Sequence, residues 1–140
     1  MSHVQKPSTP ALAAYALIAD VVLVVAFAAS GRSSHAEDLT VAGIAGTAWP
    51  FLAGLALAWL ASRNWRAPLR LWPNGVLIWI ITVVAGLILR VASGTTAALP
   101  FILVATAVLG AFLLGHRALA LLVLRLRRRA TQSSAHPPVG

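Results

Sequence analysis

One carboxylate stands inside a block of apolar side chains, and no other residue in the chain has as much scope for chemistry. Asp20 interrupts the run from Ala11 to Ala29 near its middle. If that run crosses a bilayer, a charge at its centre costs about 2.5–3.5 kcal/mol on insertion scales, so it needs a partner or a task. Three roles compete for it. It can be a proton, cation or ligand site. It can anchor helices through hydrogen bonds or a salt bridge. It can face a water-filled vestibule. Depth supplies candidate partners: Thr82 lies as far along the third apolar block as Asp20 does along the first, and Thr106 lies near the middle of the fourth. Asp20, Thr82 and Thr106 are therefore the candidate midplane polar site. Arg90 sits toward the outer end of the third block, and the rise from Asp20 to the outer surface is about ten residues or roughly 15 Å. That gap is long for direct contact, so Arg90 is expected at the interface, in an outer polar cap with Arg32 and His35.

The remaining inventory is sparse. The chain has three acids, of which Glu37 and Asp38 share one loop, and four scattered histidines. Cysteine is absent, which excludes a disulfide framework, a thiolate metal site and cysteine catalysis. No HExxH, GxSxG or phosphate-cradling glycine loop occurs. No catalytic residue, metal site or cofactor is expected, and no enzyme. A net charge of +8 raises the question of nucleic acid, but the arginines stand in short flanks between apolar blocks, where membrane topology uses them. No nucleic-acid partner is expected.

The elements that would position these residues are helices. Hydrophobic residues make up 59% of the chain and charged ones 10%, against about 25% charged in soluble domains, so a water-facing exterior is not expected. Mean hydropathy is +0.85 and the apolar residues fall in four long blocks. A helix needs about 20 residues to cross the hydrocarbon core, and all four blocks approach that length. Backbone amides in hydrocarbon must be satisfied within their own segment, so each block is read as a helix. The reading is an all-α membrane protein with four transmembrane helices at about 11–30, 41–62, 75–92 and 97–124. Disordered tails are expected at 1–10 and 130–140. The connector from Ser62 to Gly75 carries Arg63, Arg66 and Arg70, and the C-terminal stretch carries Arg125, Arg127, Arg128 and Arg129. Positive charge marks the cytoplasmic side, so both termini are expected in the cytoplasm, with Lys6 agreeing. A cleaved signal peptide ending near Ala26-Phe27-Ala28 is the rival reading of the first block, and Asp20 argues against it. Arginine in place of lysine, with abundant alanine, suggests a bacterial source and hence the plasma membrane.

Two patterns cross the blocks. Trp49-Pro50-Phe51 leads on to Trp65-Arg66 much as Leu99-Pro100-Phe101 leads on to His116-Arg117, which suggests two parallel helical-hairpin repeats. Small and polar residues also align: Gly43, Thr47, Pro50, Gly54 and Ala58 on one face of the second block, and Gly75, Trp79, Thr82, Gly86 and Arg90 on one face of the third. Such faces either pack helices together or line a polar pocket. Pro50 removes one backbone donor and is expected to kink the second helix or start its regular part. Pro50, Gly54 and Gly86 are thus candidates for kink and packing. His116-Arg117 and Trp65-Arg66 read as an interfacial belt.

Several segments carry a likeness beyond composition: GRSSH at 31–35, TAWPF at 47–51, Trp65-Arg66, Pro73-Asn74-Gly75 leading to Trp79, the stretch Gly86–Arg90, and Leu114-Gly115-His116-Arg117. Through them, over roughly residues 11 to 120, the chain resembles the domain of unknown function 3054 family of small prokaryotic membrane proteins. That family usually has tryptophan where this chain has His116. The resemblance implies four spans and supplies no activity.

Function therefore rests on the residues. The expectation is small-solute or ion and proton transport, or ligand handling, around Asp20. The alternative is a structural or accessory subunit that associates through small-residue helix faces. The lipid bilayer is the expected partner, with a second copy or another membrane protein beside it.

Overall fold

In the computed structural model, residues 8–34 and 39–134 are described, and all their regular structure is helical. Helix α1 spans Thr9–Ser34, α2 Val41–Ser62, α3 Val76–Ala92 and α4 Leu99–Ser134. All four are long and apolar enough to cross a membrane once α3 is extended back to Leu71. Large apolar side chains face outward on each helix: Ile18 is 64% exposed, Leu60 67%, Ile88 63% and Leu103 61%. Water would penalise such a surface, whereas hydrocarbon accepts it. The molecule is an all-helical membrane protein with four candidate spans.

The helix ends follow local chemistry. Thr40 caps α2, its side-chain oxygen accepting from the Gly43 amide at 3.0 Å. Arg63 ends α2 in the left-handed region at φ 49°, a place where glycine is the usual choice. A 3-10 turn over Asn64–Arg66 and a widened turn over Leu71–Gly75 fill the connector. Trp72 is extended within that second turn, which separates it from α3. At the opposite end of the bundle, Gly94 turns the chain between α3 and α4 at φ 89°.

The boundaries depart from expectation in two places. Helix α1 continues through Gly31–Ser34, which the sequence reading gives to a loop. Helix α2 has the expected bounds of 41–62, and Pro50 lies inside it, not at the start of its regular part. Helix α4 does not stop near residue 124 but continues to Ser134, about 54 Å in all. The arginine-rich stretch and the first residues assigned to a tail extend that helix well past a hydrocarbon core of about 30 Å. The rest of the expected tails lies outside the described residues.

The small faces of α2 and α3 pack against each other. A Cβ on Gly54 would lie 2.8 Å from the Thr82 carbonyl oxygen, and one on Gly86 would run into the Phe51 ring. Helix α4 joins through Trp79 of α3, whose indole rests on Gly110 and donates to the Thr106 carbonyl at 2.9 Å. Phe27, Phe51 and Phe101 meet at ring distances of 5.4–6.2 Å and bind α1, α2 and α4 together. The two phenylalanines of the repeated Pro-Phe pairs are thus neighbours, yet Pro100 lies in the first turn of α4 and Pro50 in the third turn of α2.

Candidate functional site

Two polar groupings stand out, one toward each end of the bundle. The first is built on Asp20. It is fully buried, as are Arg117 and, nearly so, Trp59. Arg117 reaches from α4 with both terminal nitrogens: Nη1 donates to Oδ1 and Nη2 to Oδ2, each at 2.7 Å. Trp59 of α2 donates its indole N–H to Oδ2 at 2.9 Å. His116 Nε2 lies 2.6 Å from Oδ1 and 3.0 Å from Arg117 Nη1. Two further guanidinium hydrogens are committed, with Nε donating to the Pro68 carbonyl at 3.0 Å and Nη1 to the Leu113 carbonyl at 2.8 Å. One acid therefore ties α1, α2, α4 and, through Arg117, the connector. A bidentate arginine-carboxylate pair with further hydrogen bonds around it is the form in which opposite charges tolerate burial.

The partners of Asp20 are not the expected ones. Asp20 lies near the middle of α1, whereas Trp59 stands three residues before the end of α2 and Pro68 belongs to the connector. Thr82 and Thr106 do not join it. Thr82 is buried against α2 at Gly54, with no hydrogen-bond partner for its hydroxyl among the described residues. Thr106 turns its hydroxyl back to the Ile102 carbonyl at 2.7 Å, as threonines in helices do. Depth matching chose them, but it ignores which face each helix turns toward α1. The partners it missed, Trp59, His116 and Arg117, carried a signal. Arg117 breaks the apolar run of the fourth block as Asp20 breaks the first, and two opposite charges inside apolar blocks ask to be paired.

The second grouping lies at the opposite end, where α1 ends and the loop between α3 and α4 turns. A cavity of about 230 Å³ is lined by Arg32, Thr47, Arg90, Thr96, Phe27 and Phe101, among others. Arg32 donates from Nη1 to the Thr47 hydroxyl at 3.5 Å, and its guanidinium lies flat on Gly43, where a Cβ would come within 2.5–2.8 Å. Arg90 donates from Nε to the Thr96 carbonyl at 2.9 Å and sits over the Phe101 ring, 4.2 Å from its centre. The site is thus a pair of half-buried guanidinium groups above an aromatic floor. Of the expected outer cap, Arg32 and Arg90 line one cavity, and His35 lies outside the described residues. Among the described residues no cluster of His, Asp or Glu could hold a metal.

The four apolar helices, with two arginine sites set at opposite ends, define an integral membrane bundle. Residues 17–120 match the family model for proteins of unknown function designated DUF3054, and the chain belongs to that family. No curated protein and no solved structure matches it. Gly31-Arg32, Thr47 and Arg90 come from segments through which the chain resembles the family, and all four line the cavity.

Proposed function

We propose that this is a four-span protein of the bacterial plasma membrane, with both termini cytoplasmic, which handles a small anion in the Arg32–Arg90 cavity on the outer side. The observation that carries the reading is the convergence of two guanidinium groups, from α1 and α3, on one cavity with an aromatic floor. A guanidinium has five donors in a planar fork, so it can keep a protein contact and still hold a carboxylate or phosphate. Phe27 and Phe101 add a surface for an apolar body on the anion. A volume of about 230 Å³ falls below the range of roughly 300–1,000 Å³ that suits drug-sized ligands, which favours a smaller solute.

Transport or ligand handling at Asp20 finds less support. Both carboxylate oxygens accept two contacts each, and the acid has no exposed surface. We read it as a latch that fixes the helix arrangement. The accessory-subunit reading needs open small-residue faces, and those at Gly54 and Gly86 are closed against Thr82 and Phe51.

The test is calorimetric titration of the purified protein in nanodiscs with benzoate and with inorganic phosphate. Saturable binding of at least one is expected. Arg32→Gln or Arg90→Gln should weaken it by about 10- to 100-fold, the worth of one charge-assisted hydrogen bond of about 1.5–3 kcal/mol. No saturable binding, or equal binding by the double variant, would overturn the proposal.

A further inference from the structure

The connector end holds a feature that neither the latch nor the outer cavity uses. A groove of about 390 Å³ runs between the start of α3 and the middle of α4, with Trp72, Val76 and Leu114 as walls and Gly110, Gly115 and Ala118 along its length. Its floor is open: a Cβ on Gly115 would meet nothing within 4 Å. From Gly110 to Ala118 the groove follows α4 for about 12 Å. Trp72 stands at its edge, 75% exposed, as tryptophan does at a membrane interface.

The charge around this groove is one-sided. Arg70 directly precedes the groove wall in sequence, Arg63 and Arg66 share the connector, and Arg125, Arg127, Arg128 and Arg129 begin two turns beyond Ala118 on α4. All seven are exposed, and among the described residues none makes a side-chain hydrogen bond or ion pair. The only acid among the described residues is Asp20, already held by Arg117. An apolar slot at bilayer depth beneath unpaired arginines matches a molecule with a hydrocarbon tail and an anionic head.

We propose that the groove seats one acyl chain of an anionic phospholipid, with its phosphate held by Arg66 and Arg70 at the membrane surface. Clustered cations beside a membrane helix attract anionic lipid at about one kcal/mol each, or roughly fivefold in affinity per arginine. The groove adds what surface attraction lacks, a fixed place along α4. The occupant is a lipid and not a second copy, because a copy of this chain would bring seven more arginines to the same end.

Native mass spectrometry of the full chain tests this, with dioleoyl phosphatidylglycerol and dioleoyl phosphatidylcholine as probes. One phosphatidylglycerol per chain should survive activation that strips phosphatidylcholine. Arg66→Gln and Arg70→Gln should each cut the preference for phosphatidylglycerol about fivefold. Gly115→Leu fills the groove where no atom opposes it and should abolish the retained lipid, as should Ala118→Leu if the first variant folds poorly. Retention unchanged in both groove variants would mean surface attraction only and would overturn the proposal. Equal retention of the two lipids would overturn it as well. So would a dimer that the groove variants dissolve, since a second copy would then be the occupant.

Discussion

Arg117 and the pair Arg32–Arg90 are the same residue type put to opposite uses. Arg117 has no exposed surface, and its guanidinium donates to Asp20 through both terminal nitrogens and to two backbone carbonyls. Arg32 and Arg90 are half-buried and face a shared cavity. The contacts of Arg32 include Thr47 and Gly43, and those of Arg90 include Thr96 and Phe101. A buried charge held by an opposite charge and several hydrogen bonds cannot exchange partners without a large cost, so it is suited to holding helices together. Guanidinium groups oriented toward a cavity can admit a ligand, because their positions do not depend on it. On the proposed function, the acid most conspicuous in the sequence serves structure, and the less conspicuous arginines serve binding.

The comparison breaks most visibly at the latch. Asp20→Asn or Arg117→Met leaves one buried group without its opposite charge, and about 3–5 kcal/mol of stability should be lost. Replacing both with leucine removes the desolvation cost along with the attraction and should recover much of it. Unfolding in a denaturing detergent series would measure both. Single variants that lose less than about 1 kcal/mol would show that the pair does not hold the helices. Trp59→Phe comes next. It removes one hydrogen bond to a charged oxygen while keeping most of the packing, so a loss of about 1.5–3 kcal/mol is expected in the same assay. By contrast, Arg32→Gln and Arg90→Gln should change stability by under about 1 kcal/mol while weakening anion binding, since part-exposed contacts contribute little to folding. The one stabilising change is at Arg63. Its left-handed backbone is costly for a residue with a Cβ, so Arg63→Gly should stabilise the protein by about 1 kcal/mol in a thermal unfolding scan.

The sequence made some of this legible and concealed the rest for identifiable reasons. Four apolar blocks interrupted by polar loops define four helices, because hydrocarbon leaves the backbone no alternative. Spacing also placed Gly54 and Gly86 on their faces correctly, and those faces meet. Helix ends were less legible. Gly31-Arg32-Ser33-Ser34 and Arg127–Ser134 look like loop or tail by polarity, yet both are helical, since a helix can leave the membrane without stopping. The partners of Asp20 stayed hidden because depth along a helix says nothing of rotation about it. Thr82 matches in depth but turns toward α2. His116-Arg117 resembles an ordinary basic girdle until the face of α4 is known. The outer cavity was half visible: Arg32 and Arg90 were placed at one level, but the aromatic floor from Phe27 and Phe101 depends on three helices meeting.

The central claim is that the cavity, and not the acid, is the binding site. Calorimetric titration of benzoate and phosphate against two double variants tests it most directly. In Asp20→Leu/Arg117→Leu, the affinity of the folded protein should stay within about twofold of the parent. In Arg32→Gln/Arg90→Gln, it should fall by more than about 100-fold, following the single-residue losses combined. A collapse of binding in the first variant with full binding in the second would contradict the account and return the site to Asp20.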